Sequence, residues 1–166
     1  MNSAKPKSAE HRYNLGYFLN SRGKYQEAYE NLSIVVKRNP KWVDAYGELA
    51  SAAFHLNLLD EAREALTKAL QLDSARPALF LRMGEVELSA KQPAKAVGFL
   101  IDAQRRTPLG DRRRIETTWL LIQAYDTLKD RALTCQKIAE FRRLDAVATP
   151  WAPQVEEAAE RNRCKP

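Results

Sequence analysis

Apolar and small residues return along this chain every thirty-four positions. Leu15, Leu49 and Met83 share one register; so do Gly16, Ala50 and Gly84; Ala28, Ala62 and Ala96; Leu32, Leu66 and Leu100; and Val35, Ala69 and Ala103. Pro40, Ser74 and Pro108 close each interval. Such a period with these residue types predicts helix–turn–helix units stacked into a solenoid. Few glycines and sparse β-branched residues favour helix throughout.

The first unit spans 9–42, after a flexible leader at 1–8. Its first helix is expected over His11 to Ser21 and its second over Lys24 to Arg38, stopping before Asn39–Pro40. The turn falls at Arg22–Gly23, and Asn57 takes the Gly23 position in the second unit, 43–76. Asp60 and Glu61 lie in the first turn of the next helix, where the macrodipole favours acids. The third unit is 77–110, and Pro93 stands at the start of its second helix, where proline is tolerated. After Gly110 the register is lost. Asp111 can N-cap a helix from Arg112 to Leu128, and a partner follows from about Asp130 to Leu144. This is a degenerate fourth hairpin, 111–149. A last helix, Gln154 to Arg163 within 150–166, carries Val155, Ala158 and Ala159 on one stripe and is expected to cap the array with Trp151.

The small residues permit close approach. Gly16, Ala50 and Gly84 are expected to meet Ala28, Ala62 and Ala96 within each unit, with Leu32, Leu66 and Leu100 filling the layer between. This arrangement resembles the tetratricopeptide repeat, whose units carry Leu–Gly in the first helix, Ala and Leu in the second, and a closing proline. The residues that carry the resemblance are Leu15–Gly16, Ala28, Leu32, Val35 and Pro40; Tyr46, Leu49–Ala50, Ala62, Leu66 and Ala69; and Phe80, Met83–Gly84, Ala96, Leu100, Ala103 and Pro108. Arg12 and Glu87 depart from aromatic positions, and Ser74 from the closing proline. The resemblance implies an all-α fold, a right-handed α-solenoid with a C-terminal capping helix. It also implies a protein-binding groove lined by the first helices. The groove residues would be Tyr13, Asn14, Tyr17 and Asn20 from the first repeat; Glu48, Ser51, Phe54 and His55 from the second; and Leu81, Arg82, Glu85 and Leu88 from the third. Aromatic and aliphatic anchors beside polar groups suit a peptide or a partner helix.

Some family members clamp the acidic tails of chaperones with lysine, asparagine and arginine. The matching positions here are Tyr13, Tyr17, Glu48, Ala78 and Arg82. Only Arg82 agrees and Glu48 would repel a carboxylate, so this use is rejected.

Charge changes the picture little. The net charge is +6, but acids are interleaved along most helices. A basic edge gathers Arg105, Arg106, Arg112, Arg113 and Arg114, with Arg142–Arg143 beyond. It lacks interleaved aromatics for base stacking, which argues against nucleic acid. Cys135 and Cys164 form no CxxC and have no nearby histidine. A disulfide framework is not expected and a reduced, cytoplasmic setting is the natural reading, while the sequence leaves open that these two cysteines pair. His11 and His55 belong to no catalytic or metal-binding motif. The reading is a non-catalytic scaffold or adaptor without cofactor or metal. No apolar run is long enough to span a membrane. The alternatives are a self-assembling solenoid, forming a homo-oligomer, and a module of a larger bacterial protein in a membrane-associated secretion or polysaccharide-export assembly.

Overall fold

The structure is a computed structural model that describes residues 8–144 and 149–165. Most of the 1–8 leader therefore lies outside the described residues. Among those described, nine helices and no strands occur: α1 (Ala9–Ser21), α2 (Tyr25–Arg38), α3 (Val43–His55), α4 (Leu59–Leu72), α5 (Pro77–Ser89), α6 (Pro93–Arg106), α7 (Arg112–Thr127), α8 (Arg131–Arg143) and α9 (Ala152–Asn162). They group into two compact units, one ending at Ala75 and one beginning at Arg76.

Local chemistry sets the helix ends. Ser8 accepts from the His11 amide at the start of α1, Asp111 from the Arg113 amide at α7, and Asp130 from the Leu133 amide at α8. Each satisfies a donor that has no partner inside its helix. Pro77 and Pro93 occupy first-turn positions of α5 and α6, where no amide hydrogen is needed. The hairpin turns are closed by residues with positive φ: Gly23 at 72°, Asn57 at 61°, Lys91 at 57° and Lys129 at 61°. The first three keep the thirty-four-residue spacing. Lys129 comes thirty-eight after Lys91, because α7 has 16 residues where α5 has 13 and the link before it, 107–111, is one residue longer than 73–76. This is why the register dissolves after Gly110.

In the first unit, α1 packs on α2, α2 on α3 and α3 on α4. Ala28, Leu32, Val35, Ala62, Leu66 and Ala69 are all at 0% exposure. The close approach differs from the alanine-to-glycine contact expected from the sequence. A Cβ on Gly16 would lie 2.6 Å from Cγ of Leu32, and one on Gly84 would lie 2.4 Å from Cδ2 of Leu100. The glycine thus receives the leucine of the partner helix, one turn beyond the alanine. Leu15 also departs: it is 37% exposed, whereas Leu49 and Met83 at the same register are half-buried and buried. Leu49 packs against clusters that include α2 residues, and no described helix precedes α1 to do the same for Leu15. Arg12, at the family's aromatic position, donates to Oδ1 of Asn31 at 3.2 Å, so a polar tie between α1 and α2 replaces the ring.

In the second unit, α5 pairs with α6, α6 with α7 and α7 with α8, while α9 lies on both α7 and α8. Val155, Ala158 and Ala159 join Ile122, Ile138 and Phe141 in one buried cluster, with Trp151 and Cys164 packed against it. Polar ties reinforce the apolar seat. Arg142 pairs with Glu156 at 2.6 Å, Arg161 with Asp126 at 2.7 Å, and Arg131 donates to the carbonyls of Asn162 and Arg163.

The cysteines correct the sequence reading. Cys135 on α8 and Cys164 just after α9 form a disulfide, with Cα atoms 5.3 Å apart. The left-handed Arg163 ends α9 and turns Cys164 back, its amide bonded to the Ala159 carbonyl at 2.9 Å. Neither CxxC spacing nor a histidine is required, because the fold brings together cysteines separated by 29 residues.

Two substitutions test this packing. Leu66→Ala should lower unfolding free energy by about 2–5 kcal/mol, since it empties a fully enclosed site. Replacing both cysteines by serine should cost about 2–4 kcal/mol, because the bridge closes a loop of moderate length. Urea unfolding checks both, and reductant should reproduce the second loss in the native chain.

Candidate functional site

The first helix of each hairpin carries the residues assigned to a groove. In the first unit these are α1 and α3, which lie side by side. Several of their side chains are engaged in holding the unit together. Tyr13 is half-buried and stacks on Trp42 with ring centroids 4.7 Å apart. Asn20 donates from Nδ2 to both the carbonyl and Oε2 of Glu48, each at 2.9 Å. Asn20 and Glu48 therefore tie α1 to α3, and a ligand would have to compete with that tie. His55 is exposed and stacks on Tyr25 at 4.1 Å, with Phe54 edge-on to it at 5.6 Å. Asn14 and Tyr17 are exposed, and Ser51 and Phe54 are half-buried. Tyr17 at 56% and Phe18 at 51% expose the most aromatic surface on α1. Phe18 lies outside the expected groove set; its alignment in the repeat gives no reason to single it out, and Arg22 covers part of its ring at 5.3 Å.

A further cavity of about 750 Å³ lies in the first unit between α2 and α4, with Tyr29, Ile34, Tyr46 and Leu49 among its apolar lining and Glu30, Glu61, Glu64, Lys37 and Lys68 among its charges. Tyr29 and Ile34 are apolar residues of α2 outside the repeated register, which was the available signal.

In the second unit the corresponding helices are α5 and α7. Leu81 is only 6% exposed and is withdrawn from the groove set. The reason is that α5 buries residues around most of its circumference, from Leu79 to Glu87. Arg82, Glu85 and Leu88 are partly accessible. Glu85 meets Glu116 of α7, and burial followed by this like charge pushes its carboxyl up to about 7 despite Arg82. Glu116 is also raised by burial, against the opposing pull of Arg82 and Arg112. One turn further along the same faces, Leu88 and Trp119 open into a cleft of about 430 Å³. Its other walls are Gln123, Asp126 and Thr127 of α7 and Gln154, Glu157 and Arg161 of α9. The last helix thus borders the face of α7 as well as packing on the fourth hairpin.

The basic edge divides. Arg105 and Arg112 are exposed. Arg106 pairs with Asp102 at 2.7 Å and lies over the Phe80 ring at 4.4 Å. Arg113 pairs with Asp111 at 2.6 Å, which holds the Asp111 carboxyl below its ordinary value. Arg114 is half-buried and donates to the carbonyls of Gln104 and Thr107 at 3.1 and 3.2 Å. It belongs to a polar knot in which Gln104 donates to Thr118 at 3.0 Å and Glu140 at 3.1 Å and accepts from Lys137 at 2.8 Å. Arg114 is therefore a joint between helices and not part of an open basic surface.

Among the described residues, no group of three His, Cys, Asp or Glu is placed to hold a metal ion, and no helix is long and apolar enough to cross a membrane.

Comparison with known proteins agrees with this architecture. Residues 21–77 match the sequence model described as Tetratricopeptide repeat. No curated protein matches. Similar solved structures include a thermophilic tetratricopeptide protein of Thermus thermophilus, at TM-score 0.76 and 19% identity, covering 94% of this chain and 84% of that one. YrrB, described as having an unusual peptide-binding site, matches at TM-score 0.73 and 18% identity, covering 94% and 79%. The Yersinia enterocolitica type III secretion chaperone SycD, solved with a peptide of the translocator YopD, matches at 0.68 and 18%, covering 78% and 99%. Residues 21–77 thus match the tetratricopeptide repeat, and the likeness to these structures shows an all-α fold of helical repeats.

Glu85 gives a pH test. Its carboxyl is raised on folding, so its contribution to stability is greatest below the unfolded value of 4.5 and is lost as pH rises through about 7. Glu85→Gln should therefore stabilise the chain at pH 8 by about 1–2 kcal/mol and change little at pH 4.5. Urea unfolding at the two pH values measures the difference.

Proposed function

We propose that this chain is a non-catalytic interaction module that binds a peptide or helix of another protein along its first-helix faces. The observation that carries this is the set of side chains those faces leave at least partly accessible, Asn14, Tyr17 and Phe54 in the first unit and Arg82, Glu85 and Leu88 in the second, each set combining apolar anchors with hydrogen-bonding groups. Peptide capture by similarly folded proteins such as SycD supports the reading. Tyr13, Asn20 and Glu48 act as supports for the face, and Arg114 as a support elsewhere.

The disulfide bears on where this occurs. A cytoplasmic setting rested on reduced cysteines, and the Cys135–Cys164 pairing supports an oxidising compartment instead. The engagement of Arg106, Arg113 and Arg114 with protein partners supports a protein ligand over nucleic acid.

A displayed random-peptide library panned on the purified, oxidised chain tests the proposal. Peptides should be enriched, and Tyr17→Ala combined with Phe54→Ala or Leu88→Ser should weaken their binding at least tenfold while helical circular dichroism persists. Absence of enriched peptides, or enrichment indifferent to all these substitutions, would overturn it. Association of the chain with itself through the same residues would transfer the surface to the self-assembly reading.

A further inference from the structure

The second helices of the first unit enclose a groove separate from the first-helix faces. α2 and α3 are joined by the short link 39–42 and α3 and α4 by 56–58, and each pair packs side by side. The chain therefore reverses twice, and α2 and α4 run in the same direction with α3 beneath them. The groove between them has a volume of about 750 Å³. Its floor is apolar, with Tyr29 and Ile34 of α2 and Tyr46 and Leu49 of α3, all half-buried. Neither Tyr17 nor Phe54 lines it.

The rim of the groove is charged, and its charge is ordered. Glu30 and Lys37 of α2 are seven residues apart, as are Glu61 and Lys68 of α4, with Glu64 a turn after Glu61. On a helix that spacing keeps both charges on one side, about 10 Å apart. Because the two helices run together, both walls are acidic toward their starts and basic toward their ends. All five side chains are exposed. Among the described residues Glu61, Glu64, Lys37 and Lys68 form no ion pair, whereas nearby Lys24 pairs with Glu27 and Arg63 with Asp60. Glu30 accepts from neutral Gln26 at 3.0 Å. The helix dipoles account for Glu61, in a first turn, and Lys37, in a last turn. Glu30, Glu64 and Lys68 lie outside those turns.

We infer that the α2–α4 groove binds an amphipathic helix of another protein. Its apolar stripe rests on the floor, with a cation at one end over Glu30, Glu61 and Glu64 and an anion at the other over Lys37 and Lys68. The walls are helices, whose backbone groups between the ends are bonded within each helix. An extended segment would therefore lay its own amides on an apolar floor without partners, at the cost of desolvating them. A helix brings its backbone already bonded and packs its ridges between those of α2 and α4. A uniformly basic or uniformly acidic helix meets repulsion at one end of the groove. This site is distinct from the peptide-binding face proposed above and does not depend on it.

The test uses the full oxidised chain and three stapled helical peptides that share one leucine stripe. The first carries lysine and glutamate at opposite ends of the stripe, the second lysine at both ends, the third glutamate at both. The mixed peptide should bind, and the other two should bind about tenfold more weakly at low salt, because exposed ion pairs are replaced by repulsion. Glu30→Lys combined with Glu64→Lys should shift the preference to the all-glutamate peptide. Both positions are exposed, so the fold should survive, and circular dichroism verifies it. Ile34→Asp should weaken all three peptides. Tyr17→Ala with Phe54→Ala should leave them unchanged, which separates this groove from the first-helix face. Failure of the mixed peptide to bind, equal binding of the three, or an order untouched by the charge reversal overturns the inference. A chain that associates with itself and is made monomeric by Ile34→Asp assigns the groove to a second copy and overturns it as well.

Discussion

A leucine of each second helix, enclosed beneath a glycine or alanine of the first, is the contact on which the repeats depend. Leu32, Leu66 and Leu100 have no exposed surface, and Gly16 lies against Leu32 and Gly84 against Leu100. In the two glycine hairpins the leucine occupies the space a Cβ would need. The small residue fixes how closely the helices approach, and the leucine fixes how they slide. Ala28, Ala62 and Ala96 supply a second narrow point one turn away.

The fourth hairpin replaces this contact with bulk and bonds. Counting from the turn residue, back to Ile122 and forward to Ile138, Ile122 stands where Gly84 stood and Ile138 where Leu100 stood. Two branched side chains cannot approach as a glycine and a leucine do. The hairpin is instead held by the cluster with Val155, Ala158 and Ala159, by the buried Gln104–Thr118–Glu140 knot, and by the disulfide. The last helix is thereby attached through apolar, ionic and covalent contacts at once. An element so fixed is suited to serve as a wall of the cleft beside α7.

Packing and recognition compete for the same side chains. Tyr13 and Asn20 have the chemistry expected of groove residues, yet stacking on Trp42 and hydrogen bonding to Glu48 commit them to support. Glu85 shows the opposite balance. Its carboxyl is kept close to Glu116 and partly out of water, at a cost to folding above neutral pH.

The helices and their pairing were legible in the sequence because small and large apolar residues recur at fixed intervals, and because Gly23 and Asn57 mark the turns. Cap residues such as Asp111 and prolines such as Pro93 act within a few positions of where they stand, so their effects could also be read locally. The disulfide could not, because Cys135 and Cys164 meet only after α9 folds back on α8. Nor could the fate of individual polar residues. Arg114 looked like part of an exposed basic run, and only the carbonyls of Gln104 and Thr107 drew it inward. Leu81 and Leu88 occupy the same helix with similar side chains, but one is enclosed and the other opens on a cleft. A sequence specifies which residues can share a helical face; which neighbours then cover that face is decided only by the assembled tertiary structure, since burial and hydrogen bonding depend on residues distant in the chain.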